Sequence, residues 1–199
     1  MLRFKLVTTF STLILMTSIS ISAAAFEETT IPTELRGDGE LTLFRPVKNE
    51  RSTFKYRNRE GDYDQKVFDD IAHFFRCRMT DEPHPIDPKL IEIIDAIEDH
   101  FAGREIKVIS AYRSPTRNNA MRRKGRRVAK RSLHMDGMAA DIEVKGTPKK
   151  LVRNFAYKLK QGGIGYYGRR TFVHVDTGPL RTWGWKPTST TRSAAMANK

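Results

Sequence analysis

One cysteine in 199 residues, Cys77, leaves this chain without an internal disulfide. Stability has to come from packing and from whatever ion the protein holds. Cys77 lies in the apolar run "IAHFFRCRM", which reads as a buried, inert thiol rather than a nucleophile. Acidic residues are also in short supply: 23 Asp and Glu against 36 Lys and Arg give a formal net charge of +13. That imbalance favours polyanionic partners. No apolar run reaches the roughly 20 residues that span a bilayer, and no internal repeat is visible.

The amino terminus has a clear layout. Residues 1–25 show a basic start (Arg3, Lys5), an apolar run near Leu13–Ile21 and a small-residue end at Ala23–Ala25, the pattern of a secretory signal peptide cut after Ala25. Export is therefore expected, to the periplasm if the source is Gram-negative, with no stable membrane anchor after cleavage. Losing Arg3 and Lys5 lowers the charge from +13 by two to +11. Outside the cytoplasm, cell-wall polymers or anionic membrane surfaces suit such a charge better than nucleic acid. The densest cationic stretch, "RNNAMRRKGRRVAKR" at 117–131, carries eight Lys or Arg and no aromatic residue. Without aromatic side chains on which bases could stack it does not read as a nucleic-acid site, and a solvated loop or helix face is the plain alternative.

Four segments are expected: the signal peptide, an N-terminal extension over 26–62, a main domain over 63–185 and a disordered basic tail over 186–199. The extension holds a short hairpin around "GELTLFRP" and "RSTFKYR". Val67, Ile71, Phe74 and Phe75 fall at helical spacing, and Leu90, Ile93, Ile94 and Ile97 mark a second helix after the prolines at 83, 85 and 88. His73, His84 and His100 sit on or beside these elements as surface or packing residues. Past Gly103 come the strand-like runs "EIKVISAYR", "AADIEV" and "TFVHVDTG". Between the last two lies an amphipathic helix, "TPKKLVRNFAYKLKQGG", with Thr147 as its cap and Gly162 as its stop. The order predicts an α+β fold, N-terminal helices followed by a mainly antiparallel sheet.

Chemistry concentrates in "SLHMDGMAADIEV" and "FVHVD". Strand alternation lets His174 share a face with Asp176, and Asp141 with Glu143. Pairing of the two strands would bring Asp141 and His174 together, and Gly137 frees the backbone to return His134 over the same surface. The residues alone leave two arrangements open. One is a buried hydrogen-bonded His–Asp pair. The other is a three-ligand set for Zn²⁺ with a fourth position for water, the pattern of catalytic rather than structural zinc. Asp176 is the candidate general base or, alternatively, the group that fixes an imidazole tautomer; Glu143 is a weaker base candidate. The glycines of "GGIGYYG" predict a tight turn that brings Tyr166 and Tyr167 to the rim of a cleft, where core packing is the alternative. Trp183 and Trp185 line the cleft or close the core.

The strings "VISAYRSPTRNNAMRR", "VAKRSLHMDGMAADIEV" and "GGIGYYGRRTFVHVDTGPLRTWGW" resemble the M15-type zinc D-Ala-D-Ala peptidases, most closely the branch that contains murein endopeptidase K. The likeness covers about residues 60–185. It implies a Hedgehog/DD-peptidase-like fold, a Zn²⁺ cofactor, peptidoglycan as partner and hydrolysis of amide bonds in wall peptides, with cross-link endopeptidase action first. Stem-end carboxypeptidase action, or a non-catalytic wall-binding module that keeps the metal site, are the alternatives. The family's ligands match His134, Asp141 and His174. Its "YRS" arginine, a substrate or oxyanion contact, matches Arg113, and a serine near the substrate matches Ser132. Relatives that place a base just before the last histidine have no counterpart here, because those positions are Thr171 and Phe172.

Overall fold

The computed structural model describes residues 31–126 and 128–196; the predicted signal peptide of residues 1–25 lies outside them. Strands β1 (Glu40–Arg45) and β2 (Glu50–Lys55) form a hairpin ahead of helices α1 (Gln65–Phe74) and α2 (Pro88–His100). Then follow β3 (Ile106–Ser110), α3 (Pro115–Arg123), a 3₁₀ turn (Leu133–Asp136), β4 (Ala139–Val144) and α4 (Lys149–Leu159). Strands β5 (Gly163–Tyr166), β6 (Val173–Asp176) and β7 (Arg181–Trp183) precede α5 (Ser189–Met196). Seven strands make one sheet in the order β2-β1-β3-β4-β6-β5-β7. Only the β1–β3 and β5–β7 pairs are parallel, so the α+β class and the mainly antiparallel sheet are as expected. The hairpin assigned to an extension continues this sheet through β1 and β3.

Local chemistry sets the helices. The Asp64 carboxylate accepts the Lys66 and Val67 amides, capping α1 so that Phe68, Ile71 and Phe74 turn inward. Asp87 caps α2 ahead of Pro88, and Leu90, Ile91, Ile94 and Ile97 are fully buried along it. Helix α4 departs from expectation at both ends. Its cap is Pro148, because the Thr147 hydroxyl accepts from Arg104 at 3.1 Å instead of turning to the helix. It ends on Lys160 in a left-handed conformation, φ 55°. Gly162 serves another purpose: a Cβ there would lie 1.7 Å from the Asp176 carbonyl oxygen, so only glycine lets the chain pass β6 so closely. The tail, expected to lack structure, carries α5, which packs against α4.

The central strands have two different faces. Ala140, Ile142, Ile164, Val173 and Val175 join the apolar core with α2 and α4. Ala139, Asp141, His174 and Asp176 occupy the opposite face by strand alternation. Among the described residues, no helix is long and apolar enough to cross a membrane.

Candidate metal centre

Strands β4 and β6 pair so that Asp141 stands directly opposite His174. His134 arrives from the 3₁₀ turn, which Gly137 closes at φ +69°; a Cβ on Gly137 would also meet the Pro85 carbonyl at 2.1 Å. The turn therefore needs glycine twice over, once for its backbone angle and once for its packing. The result is a small triangle. Asp141 Oδ1 lies 3.0 Å from His174 Nδ1 and 3.5 Å from His134 Nε2, and the two imidazole nitrogens are 3.2 Å apart. Donors held about 2.0–2.2 Å from one tetrahedral ion sit about 3.3–3.6 Å from each other, so the triangle is close to the size of one face of a tetrahedral shell.

Both rings are fixed from behind. His134 Nδ1 lies 2.7 Å from the Ala111 carbonyl oxygen, which can only accept, so the ring proton sits on Nδ1. His174 Nε2 lies 3.0 Å from Asp176 Oδ2, which places its proton there. In the neutral tautomer so held, each ring presents a lone pair inward, towards the other and towards a carboxylate. Three buried acceptors so placed repel one another unless a cation joins them, either a metal ion or a proton on His174 Nδ1 shared with Asp141. Burial works against the Asp141 charge, but the His134 and His174 rings hold its carboxyl far below the usual carboxylate range. Burial likewise pushes the His134 imidazole down, towards the neutral form that binds metals. In His174 the same desolvation is outweighed by bonds to Asp141 and Asp176, which raise it.

Asp176 stands behind His174, on the side away from the triangle, and is 1 % exposed. Its Oδ1 accepts from the Gly163 and Gly178 amides at 3.0 and 2.9 Å and from Arg181 Nη1 at 3.1 Å. Arg181 Nη2 reaches Oδ2 at 2.7 Å. Burial opposes its charge, yet His174 and Arg181 keep its carboxyl below the usual range. Every acceptor direction of this carboxylate is used, so it has none to offer a water in the cleft. Glu143 is engaged as well, accepting from the Thr171 hydroxyl.

Arg113 is buried beside Asp141, with Nη2 at 4.0 Å from Oδ2. Its Nη1 lies 3.5 Å from Asn118 Oδ1, and its Nε has no hydrogen-bond partner among the described residues. Burial lowers its pKa, against the pull of Asp141. Ser132 opens the 3₁₀ turn two residues before His134 and makes no capping bond with its side chain. The two tyrosines part company. Tyr166, expected at the rim, lies instead under Lys149 and Arg153, whose charged ends are 4.5 and 4.6 Å from its ring centre. It therefore faces α4, because consecutive strand residues point to opposite sides. Tyr167 goes the other way, and its hydroxyl accepts from Trp183 Nε1 at 2.9 Å. The Trp183 ring leans on His174 with centroids 5.0 Å apart, over Gly165, where a Cβ would meet the indole at 2.5 Å. Trp185 turns to α4, stacked under Arg153. Sequence reasoning missed Arg181 and Asn118, and it left Trp183 undecided; the glycine at 165, opposite His174, was the available signal for a large neighbour.

Two similar proteins are named. The chain is 42 % identical over 115 residues to the "Probable peptidoglycan L,D-endopeptidase MepK" of Haemophilus influenzae, covering 57 % of this chain and 62 % of that one. It is 38 % identical over 122 residues to the "Peptidoglycan L,D-endopeptidase MepK" of Escherichia coli K12, covering 61 % and 67 %. The chain thus spans less than two thirds of the first of these relatives. No solved structure matches. The model of one peptidase family, described as peptidoglycan L,D-endopeptidase MepK, matches residues 36–183, a stretch that holds the whole triangle and all seven strands of the sheet, and the chain belongs to that M15 family.

Proposed function

We propose that this protein is a zinc-dependent peptidoglycan peptidase, an exported enzyme that cuts amide bonds in wall peptide cross-links of the L,D type named for its relatives. The observation that carries the reading is the convergence of His134 Nε2, Asp141 Oδ1 and His174 Nδ1, with the outer nitrogen of each ring anchored. The donor set of two imidazoles and one carboxylate fits Zn²⁺ with one open position. When bound, the ion supplies a water acidified to about pKa 7 and polarises the scissile carbonyl.

The chain's own residues do the rest. Ala111 and Asp176 hold the two rings in the ligating tautomer, so Asp176 is a positioning residue and not the general base. Arg113 brings a buried guanidinium with an unpaired N–H to the edge of the triangle, where it stabilises the oxyanion of the tetrahedral intermediate or a substrate carboxylate. Ser132 and Tyr167 offer hydroxyls at the margins for the substrate backbone. Trp183 shields the His174 edge from water.

One feature favours a second reading, a wall-binding module without turnover: Thr171 and Phe172, just before the last histidine, offer no general base. Incubation of the purified protein with cross-linked muropeptides, with and without chelator, decides between them by mass spectrometry. Cross-link cleavage abolished by chelator is the expected result. Loss of a terminal residue alone indicates a carboxypeptidase, and no product from zinc-loaded protein indicates the binding module.

A further inference from the structure

The segment between the first and second site residues is an excursion rooted in the candidate centre. It leaves at Arg113 and returns at His134, and the Arg113 amide donates to the His134 carbonyl at 2.9 Å, closing the loop at its base. Ser114 caps α3 by accepting the Arg117 amide at 3.3 Å. Gly125, at φ +69°, turns the chain back. Asn118, fully buried, pins the returning strand: its Nδ2 donates to the carbonyls of Ala129 and Lys130 at 3.1 and 3.4 Å, while its Oδ1 faces Arg113. Asn118 thus ties the outer part of the excursion to a residue of the centre.

The outer part is cationic and unbalanced. Arg122, Arg123, Lys124, Arg126, Lys130 and Arg131 are all exposed, and no Asp or Glu occurs from residue 113 to residue 135. None of these six has an ion-pair partner among the described residues. Some exposed cations elsewhere are matched, Lys48 with Asp81, Lys55 with Glu40 and Arg51 with Glu105, and what sets this loop apart is that six unmatched cations stand together with no acid in the segment. Like charges crowded on one loop repel each other and lower stability, a cost that a bound polyanion offsets. The run has no aromatic side chain to stack a nucleobase.

We propose that residues 115–126 and 128–131 form a cationic lip that adsorbs the enzyme to its polymer, by pairing with the free carboxylates of uncut stem peptides next to the bond held at the centre. This rests on the peptidoglycan reading given above. The chemistry requires many carboxylates on one surface, which the polymer presents and a single released peptide does not. The interaction is screened within about 8–10 Å at physiological salt and about 3 Å at 1 M.

The test uses full-length protein carrying Arg122→Gln, Arg123→Gln, Lys124→Gln and Arg126→Gln together. Co-sedimentation with purified sacculi at low salt should weaken about tenfold, the scale of four exposed charge pairs. The difference from wild type should vanish at 1 M salt, and on sacculi whose carboxylates are amidated. Zinc content of the variant, equal to wild type, certifies that the centre is intact. Equal sedimentation of variant and wild type at low salt overturns the lip. So does a difference that survives amidation, which would assign the surface to another anion, or tighter binding of wild type to duplex DNA than to sacculi. Failure of the peptidase reading looks different, because wild type would then leave soluble cross-linked peptide uncut whatever the sedimentation shows.

Discussion

Among the described residues, two groups of side chains bring three metal-ligating atoms within 4.8 Å of one another: His134, Asp141 and His174 against the sheet, and Asp38 with Asp95 and Asp99 of α2. Their surroundings differ in kind. In the first, hydrogen bonds leave from the backs of the rings, and bare acceptors face inward. In the second, each carboxylate accepts hydrogen bonds from the fold, although Asp95 Oδ1 is buried without a partner among the described residues. Asp95 Oδ2 accepts from the Gly39 amide at 3.0 Å and the Tyr56 hydroxyl at 2.6 Å, Asp99 accepts the Asp38 amide at 2.8 Å, and Asp38 accepts the Glu40 amide at 2.8 Å. These acids fasten residues 38–42 to α2, with Glu98 accepting the Thr42 amide. Burial raises Asp95 and Glu98 to about 7, so they are partly protonated at neutral pH. Proximity of donors alone does not mark a candidate metal site; the direction in which the other hydrogen bonds run separates the two groups.

The comparison can be broken most sharply by exchanging one residue on each side. His134→Ala should abolish turnover of cross-linked muropeptides, whereas Asp99→Ala should leave it within about twofold. Equal losses would mean that both groups serve the same reaction. A smaller effect separates holding the ion from using it. Arg113→Ala should keep its zinc and fold but lose about 10²–10³ in kcat, as expected for one oxyanion donor. Smaller again is Asp176→Asn, which removes the anchor behind His174 and should weaken zinc affinity by about 10–100-fold in a chelator competition. A loss of turnover with unchanged zinc affinity would return Asp176 to the role of base.

The smallest effect lies in the acidic group and concerns stability. The folded Asp95 carboxyl binds its proton more tightly than the unfolded chain does, because burial lifts it from the ordinary range to about 7. Its contribution is therefore full below about pH 4 and lost as pH rises through 7. Measured against Asp95→Asn, wild-type stability should fall between pH 5 and pH 8 by on the order of 1–2 kcal/mol, a shift of a few degrees in Tm. A difference independent of pH would show that Asp95 is ionised throughout.

How much of this was legible in the sequence follows from which forces are local. The alternation in "AADIEV" and "FVHVD" marks strands with a polar face, and the residues of the triangle carry side chains that are rare inside a sheet without a purpose. The anchors were less visible. The acceptor behind His134 is a backbone carbonyl at Ala111, which any residue type would supply, and the guanidinium on Asp176 comes from Arg181, an ordinary surface residue by composition. Thr147 read as a cap because nothing in its neighbours shows that Arg104 would claim its hydroxyl. Tyr166 and Tyr167 are alike in sequence, and only the register of β5 assigns one to α4 and the other to the centre. The burial of the α2 acids depends on the hairpin that pairs with β3, a contact across more than 60 residues. Helix α5 has no apolar period to announce it.

Metal content per chain, measured on wild type and Asp141→Ala after dialysis against trace zinc, tests the central claim most directly. The account predicts one zinc per wild-type chain and none in the variant, with the Asp38, Asp95 and Asp99 group contributing nothing to either. Zinc retained by Asp141→Ala, or absent from wild type, would contradict it.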